Sequence, residues 1–267
     1  MKGKEFLERI CEASSTIRSP VEASDEDIYF ASQDGFIYKY KEGKIKQLFE
    51  VGGEPSGLAI ECTSNVCYIA DTAQQSILAK GLDDKSAEFT HIVGDFEGQP
   101  LEGPNSLILD NDGRILYFTD SGHFGETNLS NPTGSVFTVD LEDGSISPLC
   151  YRSLAYPSGL ALSKNQQSLY VAETFANRII RFYLGEENTL YSVFFQFSGR
   201  LGPTALAMND QDLLFVARYE RMSTSLDGQI SVLNSSGNLL HNIAIPDYPE
   251  INGLSFSKVI FIIFDLF

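Results

Sequence analysis

The phrase Pro55-Ser-Gly-Leu-Ala59 recurs along this chain, and that recurrence limits its fold more than any other feature. It returns as Pro104-Asn-Ser-Leu-Ile108, Pro157-Ser-Gly-Leu-Ala161 and Pro203-Thr-Ala-Leu-Ala207, with a looser copy at Ile251-Asn-Gly-Leu-Ser255. Its leucines (Leu58, Leu107, Leu160, Leu206, Leu254) are 49, 53, 46 and 48 residues apart. A second phrase follows at constant phase: Tyr68-Ile-Ala-Asp71, Tyr117-Phe-Thr-Asp120, Tyr170-Val-Ala-Glu173 and Phe215-Val-Ala-Arg218. Two phrases locked together at one period signal repeated supersecondary units that bury their faces against neighbours.

Residues 157–184 show how a unit is built. Leu160 and Leu162 alternate with small residues, as in a strand. Lys164 to Gln167 forms a polar turn, and Ser168-Leu-Tyr-Val-Ala172 is rich in strand formers. Arg178 to Leu184 supplies a third strand and Thr189 to Phe195 a fourth. Four short strands per repeat of roughly 40–50 residues describe a propeller blade. The expected fold is all-β: a six-bladed-type β-propeller occupying residues 19–257, with an incomplete or altered last blade. Residues 1–18 are an N-terminal segment that suits ring closure or a short helix. Residues 258–267 form an almost wholly apolar tail without a turn, read either as a truncated or spliced product or as a buried strand.

The formal net charge of −17 disfavours binding to nucleic acid or to anionic membranes. No apolar run is long enough to span a bilayer. The first ten residues lack the apolar core of a secretory signal, so the expected location is cytoplasmic. There the four cysteines would be free thiols, although Cys62 and Cys67 flank a turn and could meet across strands.

The segments Gly103-Pro-Asn-Ser-Leu-Ile108, Tyr117-Phe-Thr-Asp-Ser121, Tyr156-Pro-Ser-Gly-Leu-Ala-Leu-Ser163 and Val171-Ala-Glu-Thr174 resemble the strictosidine synthase-like group. That group stands with the gluconolactonase (senescence-marker-protein) and paraoxonase families of six-bladed propellers. Pro55-Ser-Gly-Leu58 with Ala70-Asp-Thr72 also has NHL-repeat character. The resemblance implies a Ca²⁺ ion on the propeller axis, held by residues at the starts of several innermost strands, that activates a lactone or ester carbonyl. Of the implied ligands, Asn105 alone is retained. The first-blade glutamate falls on Val21, with Glu22 one position late; the next asparagine falls on Ser158, and the aspartate on Thr204. The catalytic glutamate of strictosidine synthase lies in the blade that is altered here.

Other candidates come from the ends of the second phrase, where Asp71, Asp120, Glu173 and Arg218 either line one opening of the channel or satisfy loop amides. His123, in a long loop, is a candidate base. His123, Glu173 and Arg218 are therefore the catalytic candidates. The leading expectation is a ligand-binding or protein-interaction scaffold with a degenerate axial site, no required cofactor and a small-molecule or protein partner. The alternative is a Ca²⁺-dependent lactonase or arylesterase.

Overall fold

A computed structural model describes residues 16–23, 27–83, 86, 88–185, 190–199, 202–219, 227–256 and 261–265. The first sheet holds β1 (Ile17–Glu22), β2 (Ile28–Ser32), β3 (Phe36–Lys41) and β4 (Lys44–Glu50). The second holds β5 (Pro55–Glu61), β6 (Val66–Asp71), β7 (Ser76–Gly81) and β8 (Thr90–Val93). A short hairpin, β9 (Asp95–Phe96) with β10 (Gln99–Pro100), leads to the third. That sheet is β11 (Pro104–Leu109), β12 (Ile115–Asp120), β13 (Gly134–Asp140) and β14 (Ile146–Leu154). The fourth is β15 (Pro157–Leu162), β16 (Ser168–Glu173), β17 (Arg178–Tyr183) and β18 (Leu190–Gln196). The fifth is β19 (Gly202–Met208), β20 (Leu214–Tyr219), β21 (Gly228–Leu233) and β22 (Leu239–Ile245). A last sheet pairs β23 (Ile251–Phe256) with β24 (Phe261–Asp265).

Within each blade the strands pair in sequence order, antiparallel throughout. The strand that opens each sheet touches the opening strands of its two neighbours: β1 lies between β23 and β5, and β11, β15 and β19 continue the circle. Among the described residues the result is a β-propeller with five full blades and a two-stranded sixth sheet. The repeated phrase is the innermost strand of each blade.

The core lies between blades. Ala31 and Ile37 of the first sheet pack with Leu58, Ile69 and Leu78 of the second. Ala70 and Ile77 pack with Leu116, Phe118 and Phe137 of the third. Because both faces of a second strand are covered, its burial does not alternate: every residue of β16 is buried. Blades approach closest at the small third residue of the phrase. A Cβ on Gly57 would meet the Asn105 carbonyl, and one on Gly159 would meet the Ala205 backbone. A side chain there would push neighbouring inner strands apart.

Part of the apolar tail forms β24, which pairs along β23 from Ile251↔Asp265 to Phe256↔Phe261. Residues 1–15, with their expected helix or ring closure, lie outside the described residues. Cys62, Cys67 and Cys150 are free thiols, so no bridge joins Cys62 to Cys67. Among the described residues no helix is long and apolar enough to cross a membrane.

Candidate functional site

The inner strands enclose an axial pocket of about 800 Å³ that is lined from one end of the strands to the other. Register defines which residues occupy equivalent places around it. Pro55 pairs with Asp71, Pro104 with Asp120, Pro157 with Glu173 and Pro203 with Arg218. In the first blade it is Ile17 that pairs with Ser32, the last residue of its second strand. The residues that follow are therefore the true counterparts: Arg18, Ser56, Asn105, Ser158, Thr204 and, after Ile251, Asn252. All six line the pocket.

This register corrects the first-blade expectation. Val21 lies beyond the ring position, opposite Tyr29, where Ala59 in the second blade lies opposite Tyr68. The similarity of Ser19-Pro20-Val21 to the phrase misleads because a one-residue irregularity falls between Arg18 and Val21. Ser19 there adopts a φ of 48°, in the left-handed region, and its Oγ donates to the Ser56 carbonyl (2.9 Å). The ring residue of the first blade is a cation, and its Nε is buried without a hydrogen-bond partner.

Around much of the ring, hydroxyl groups fasten each blade to the next. Ser56 Oγ donates to the Pro104 carbonyl (2.8 Å), as does Thr72 Oγ1 (3.0 Å). Asn105 Nδ2 donates to Ser121 Oγ (2.9 Å), which donates to the Pro157 carbonyl (2.6 Å). Ser158 Oγ pairs with Thr174 Oγ1 (2.8 Å), which donates to the Pro203 carbonyl (2.8 Å). Thr204 Oγ1 reaches the Ile251 carbonyl directly (2.8 Å). The signal for this relay was present in sequence: Thr72, Ser121 and Thr174 each follow the acidic end of the second phrase. Asn252 departs from the pattern. Its side-chain nitrogen and oxygen are both buried and unpartnered.

Tyr156, Thr174, Tyr219 and Glu250 sit one layer above the ring and also line the pocket. Tyr219 donates its hydroxyl to Glu250 Oε1 (2.6 Å). The opposite end carries Glu22, Asp110, Lys164 and Asp210, and the five repeated leucines lie between.

The residues singled out at the ends of the second phrase are not pocket residues. Asp71 is fully buried and accepts the Glu54 and Gln74 amides (3.0 and 2.9 Å). Asp120 accepts the Glu102 and Gly103 amides (3.0 and 2.5 Å), and burial pushes its carboxyl up from the ordinary carboxylate range. Glu173 accepts the Ala155 amide (2.8 Å) and pairs with Arg178 (2.5 Å). Arg218 donates to Gln229 (2.9 Å) and to the Ser198 carbonyl (3.2 Å), and lies over the Phe197 ring. These groups hold the loops that lead into the inner strands, one of the two roles expected for them. His123 is exposed, and its carbonyl caps the turn at Glu126 and Thr127. Neither it, Glu173 nor Arg218 lines the pocket.

The implied calcium ion can be tested against this donor set. Ca²⁺ takes six to eight oxygens, carboxylates prominent among them. The ring offers a guanidinium, two amides and three hydroxyls that already bond within or between blades. Among the described residues, no group of three His, Cys, Asp or Glu side chains could hold a metal. The ring does not fit the ion, chiefly because Arg18 brings positive charge to it.

Fold and pocket together define a β-propeller whose axial pocket carries a polar ring above a belt of leucines. The family model "SMP-30/Gluconolactonase/LRE-like region" matches residues 38–256, and the chain belongs to that family. Lactonase drp35 of Staphylococcus saprophyticus is 31% identical over 221 residues, covering 79% of this chain and 63% of the relative. Lactonase drp35 of Staphylococcus aureus is 29% identical over 190 residues, covering 69% and 54%. The chain thus spans between about half and two-thirds of these relatives' lengths. Among solved structures, a gluconolactonase from Xanthomonas campestris superposes with a TM-score of 0.77 at 20% identity, covering 96% of this chain and 85% of that one. Regucalcin from Agrobacterium tumefaciens, described as calcium-binding, gives 0.76 at 16%, covering 93% and 81%. The match falls on the gluconolactonase side of the resemblance. The strictosidine synthase, paraoxonase and NHL likenesses stay likenesses of short motifs.

Proposed function

We propose that this protein is a lactonase-type hydrolase that takes small lactones into the axial pocket and opens them without calcium. The observation that carries this reading is the pocket mouth, where Asn105 and Asn252 place amide groups below the Tyr219–Glu250 pair. The relatives named lactonase support the same direction. In lactone hydrolysis, water adds to the carbonyl carbon and the ring oxygen leaves. Amide donors offset the charge that develops on the carbonyl oxygen. Glu250, oriented by Tyr219, is the carboxylate placed to take the proton from water. It returns that proton to the departing ring oxygen, which leaves a hydroxy acid.

The test is turnover of δ-gluconolactone and an aromatic lactone, followed by acid release in the presence of a chelator. The reading expects catalysis above the spontaneous rate that survives chelation and falls about 10²-fold or more in Glu250→Gln, the typical reach of general acid–base catalysis. Turnover abolished by chelator overturns the calcium-free mechanism, and no turnover overturns the enzyme reading. A second reading, a ligand-binding scaffold without catalysis, is favoured by the commitment of the Ser56, Ser158 and Thr204 hydroxyls to hydrogen bonds within the protein. That reading expects saturable binding with no acid release.

A further inference from the structure

The ring position of the first blade holds the observation that the lactonase reading does not use. Arg18 makes no hydrogen bond or ion pair with any described residue, and its Nε is buried. Arg18 is half-buried, and a guanidinium partly drawn from water with a buried donor left unpartnered is costly; proteins ordinarily pair such a charge. Glu250 is the carboxylate at the same end of the pocket. It accepts from Tyr219 and forms no ion pair with Arg18. Glu22, Asp110 and Asp210 line the far end, past the belt of leucines. Asn252, at the ring position beside Arg18 because β23 neighbours β1, is also unpartnered at both side-chain atoms. Asn105 commits its amide nitrogen to Ser121 through one contact, and an amide nitrogen carries two hydrogens.

We propose that the axial ring is an anion site, in which Arg18 takes the carboxylate of a small hydroxy acid and Asn252 and Asn105 donate beside it. Guanidinium and carboxylate match as a planar fork, and charge-assisted bonds of this kind are the strong ones. The hydroxyl groups of such a ligand find acceptors in Glu250 and in the Tyr219 phenol oxygen, whose hydrogen Glu250 holds. The site is thus opposite in sign to the one the family resemblance implies: it selects a free acid over a neutral lactone and does not need a divalent cation. The net charge of −17 repels anions at long range, so recognition comes from contact inside the pocket, where remote charges are screened beyond roughly 8 Å at physiological salt.

This inference rests on the axial pocket being the ligand site, as the lactonase reading has it, but it does not require turnover. The experiment is calorimetric titration of the purified chain with gluconate and with sorbitol, which has the same run of hydroxyls and no carboxylate, in buffer containing a chelator. Gluconate is expected to bind at least ten times more tightly than sorbitol. Arg18→Gln is expected to remove most of that difference, while its thermal melt stays close to that of the parent. Equal binding of the two probes, gluconate binding that appears only with added Ca²⁺, or an Arg18→Gln variant with unchanged gluconate affinity would each overturn the proposal. The comparison of probes on the unmodified protein stands even where the variant does not fold. Lactone turnover measured on the same sample separates the two readings. Turnover without preference for gluconate sinks the anion site alone, and gluconate preference without turnover sinks the hydrolase alone.

Discussion

Replacing Gly57 with alanine tests the packing that makes both ring and pocket. The added Cβ would stand 2.3 Å from the Asn105 carbonyl oxygen and 3.1 Å from the Ser106 Cα, where ordinary contact begins at 3.4 Å. Both obstacles are backbone, so no side chain can swing aside. Inner strands β5 and β11 must separate by roughly 1 Å, which forfeits a quarter to a half of the dispersion energy along the gap. Overpacking a close-packed core costs about 1–3 kcal/mol, and a backbone collision belongs at the upper end. For a domain of this size, about 3 kcal/mol lowers Tm by roughly 6–12 °C. Thermal melts followed by far-UV circular dichroism and tyrosine fluorescence read the change, since the chain has no tryptophan. Gly185→Ala is the control, because a Cβ there meets nothing within 4 Å and its φ is not positive. That change is expected to be neutral or to stabilise by about 0.4–1 kcal/mol through the unfolded chain. A Gly57→Ala melt within 2 °C of the parent, judged against roughly 2–4 °C per kcal/mol, would refute the argument that blade spacing at the axis is set by the small residue of the phrase.

Three further outcomes are expected. Thr174→Val keeps the β-branched shape but removes the donor to the Pro203 carbonyl, so denaturant unfolding should show a loss of about 1–2 kcal/mol; no loss would mean the relay is ornamental. Among Cys62, Cys67 and Cys150, only the exposed Cys62 should react quickly with a thiol reagent in the native state, since burial raises the thiol pKa of the other two; peptide mass mapping reads this. The raised carboxyl of Asp120 holds its proton to higher pH folded than unfolded, so its contribution to stability is complete below the ordinary range near 3.8 and lost as pH rises through the folded value; Asp120→Asn should flatten that part of the curve of denaturation midpoint against pH.

Much of the fold was legible because its signal is periodic. The prolines and leucines of the phrase mark the same bulged strand start and the same interblade contact in each copy, so one repeat teaches the others. The first blade broke that logic. Ser19-Pro20-Val21 has the look of the phrase, yet strand register depends on pairing with β2, and Arg18 pairs at Ala31 immediately after Ile17 pairs at Ser32. A one-residue bulge cannot be seen in one strand alone. The Asp71, Asp120 and Glu173 carboxylates were legible as a choice, channel lining or loop amides, and the choice is decided only by loops of the same blade that turn their amides back onto them. Glu250 was passed over for a simpler reason: it belongs to no repeated phrase, and only the approach of β20 to β23 brings Tyr219 to it.

The hydroxyl relay also explains how such a ring can lose a cation site without losing the propeller. A residue at the ring position has two demands on it: to fasten its blade to the next, and to face whatever occupies the axis. Serine at position 56 and threonine at 204 satisfy the first with a single short donor and Ser158 through Thr174, each bond worth about 1 kcal/mol. Carboxylate ligands at these positions would repel the carbonyls of Pro104, Pro203 and Ile251 unless a cation stood between them. Such ligands therefore need the ion, and the ion needs them. Once the ring carries Arg18, that mutual dependence is gone, and neutral donors to the carbonyls become the stable choice. Restoring the ion should then require changes made together. Arg18→Glu with Ser158→Asn and Thr204→Asp, the residues that the family resemblance implies, is expected to bind Ca²⁺ in calorimetry and to melt higher with the ion than without it. Each change alone should bind none and lower the melt. If any single variant bound Ca²⁺ as well as the triple, the ring positions would be independent and the coupling argued here would be wrong.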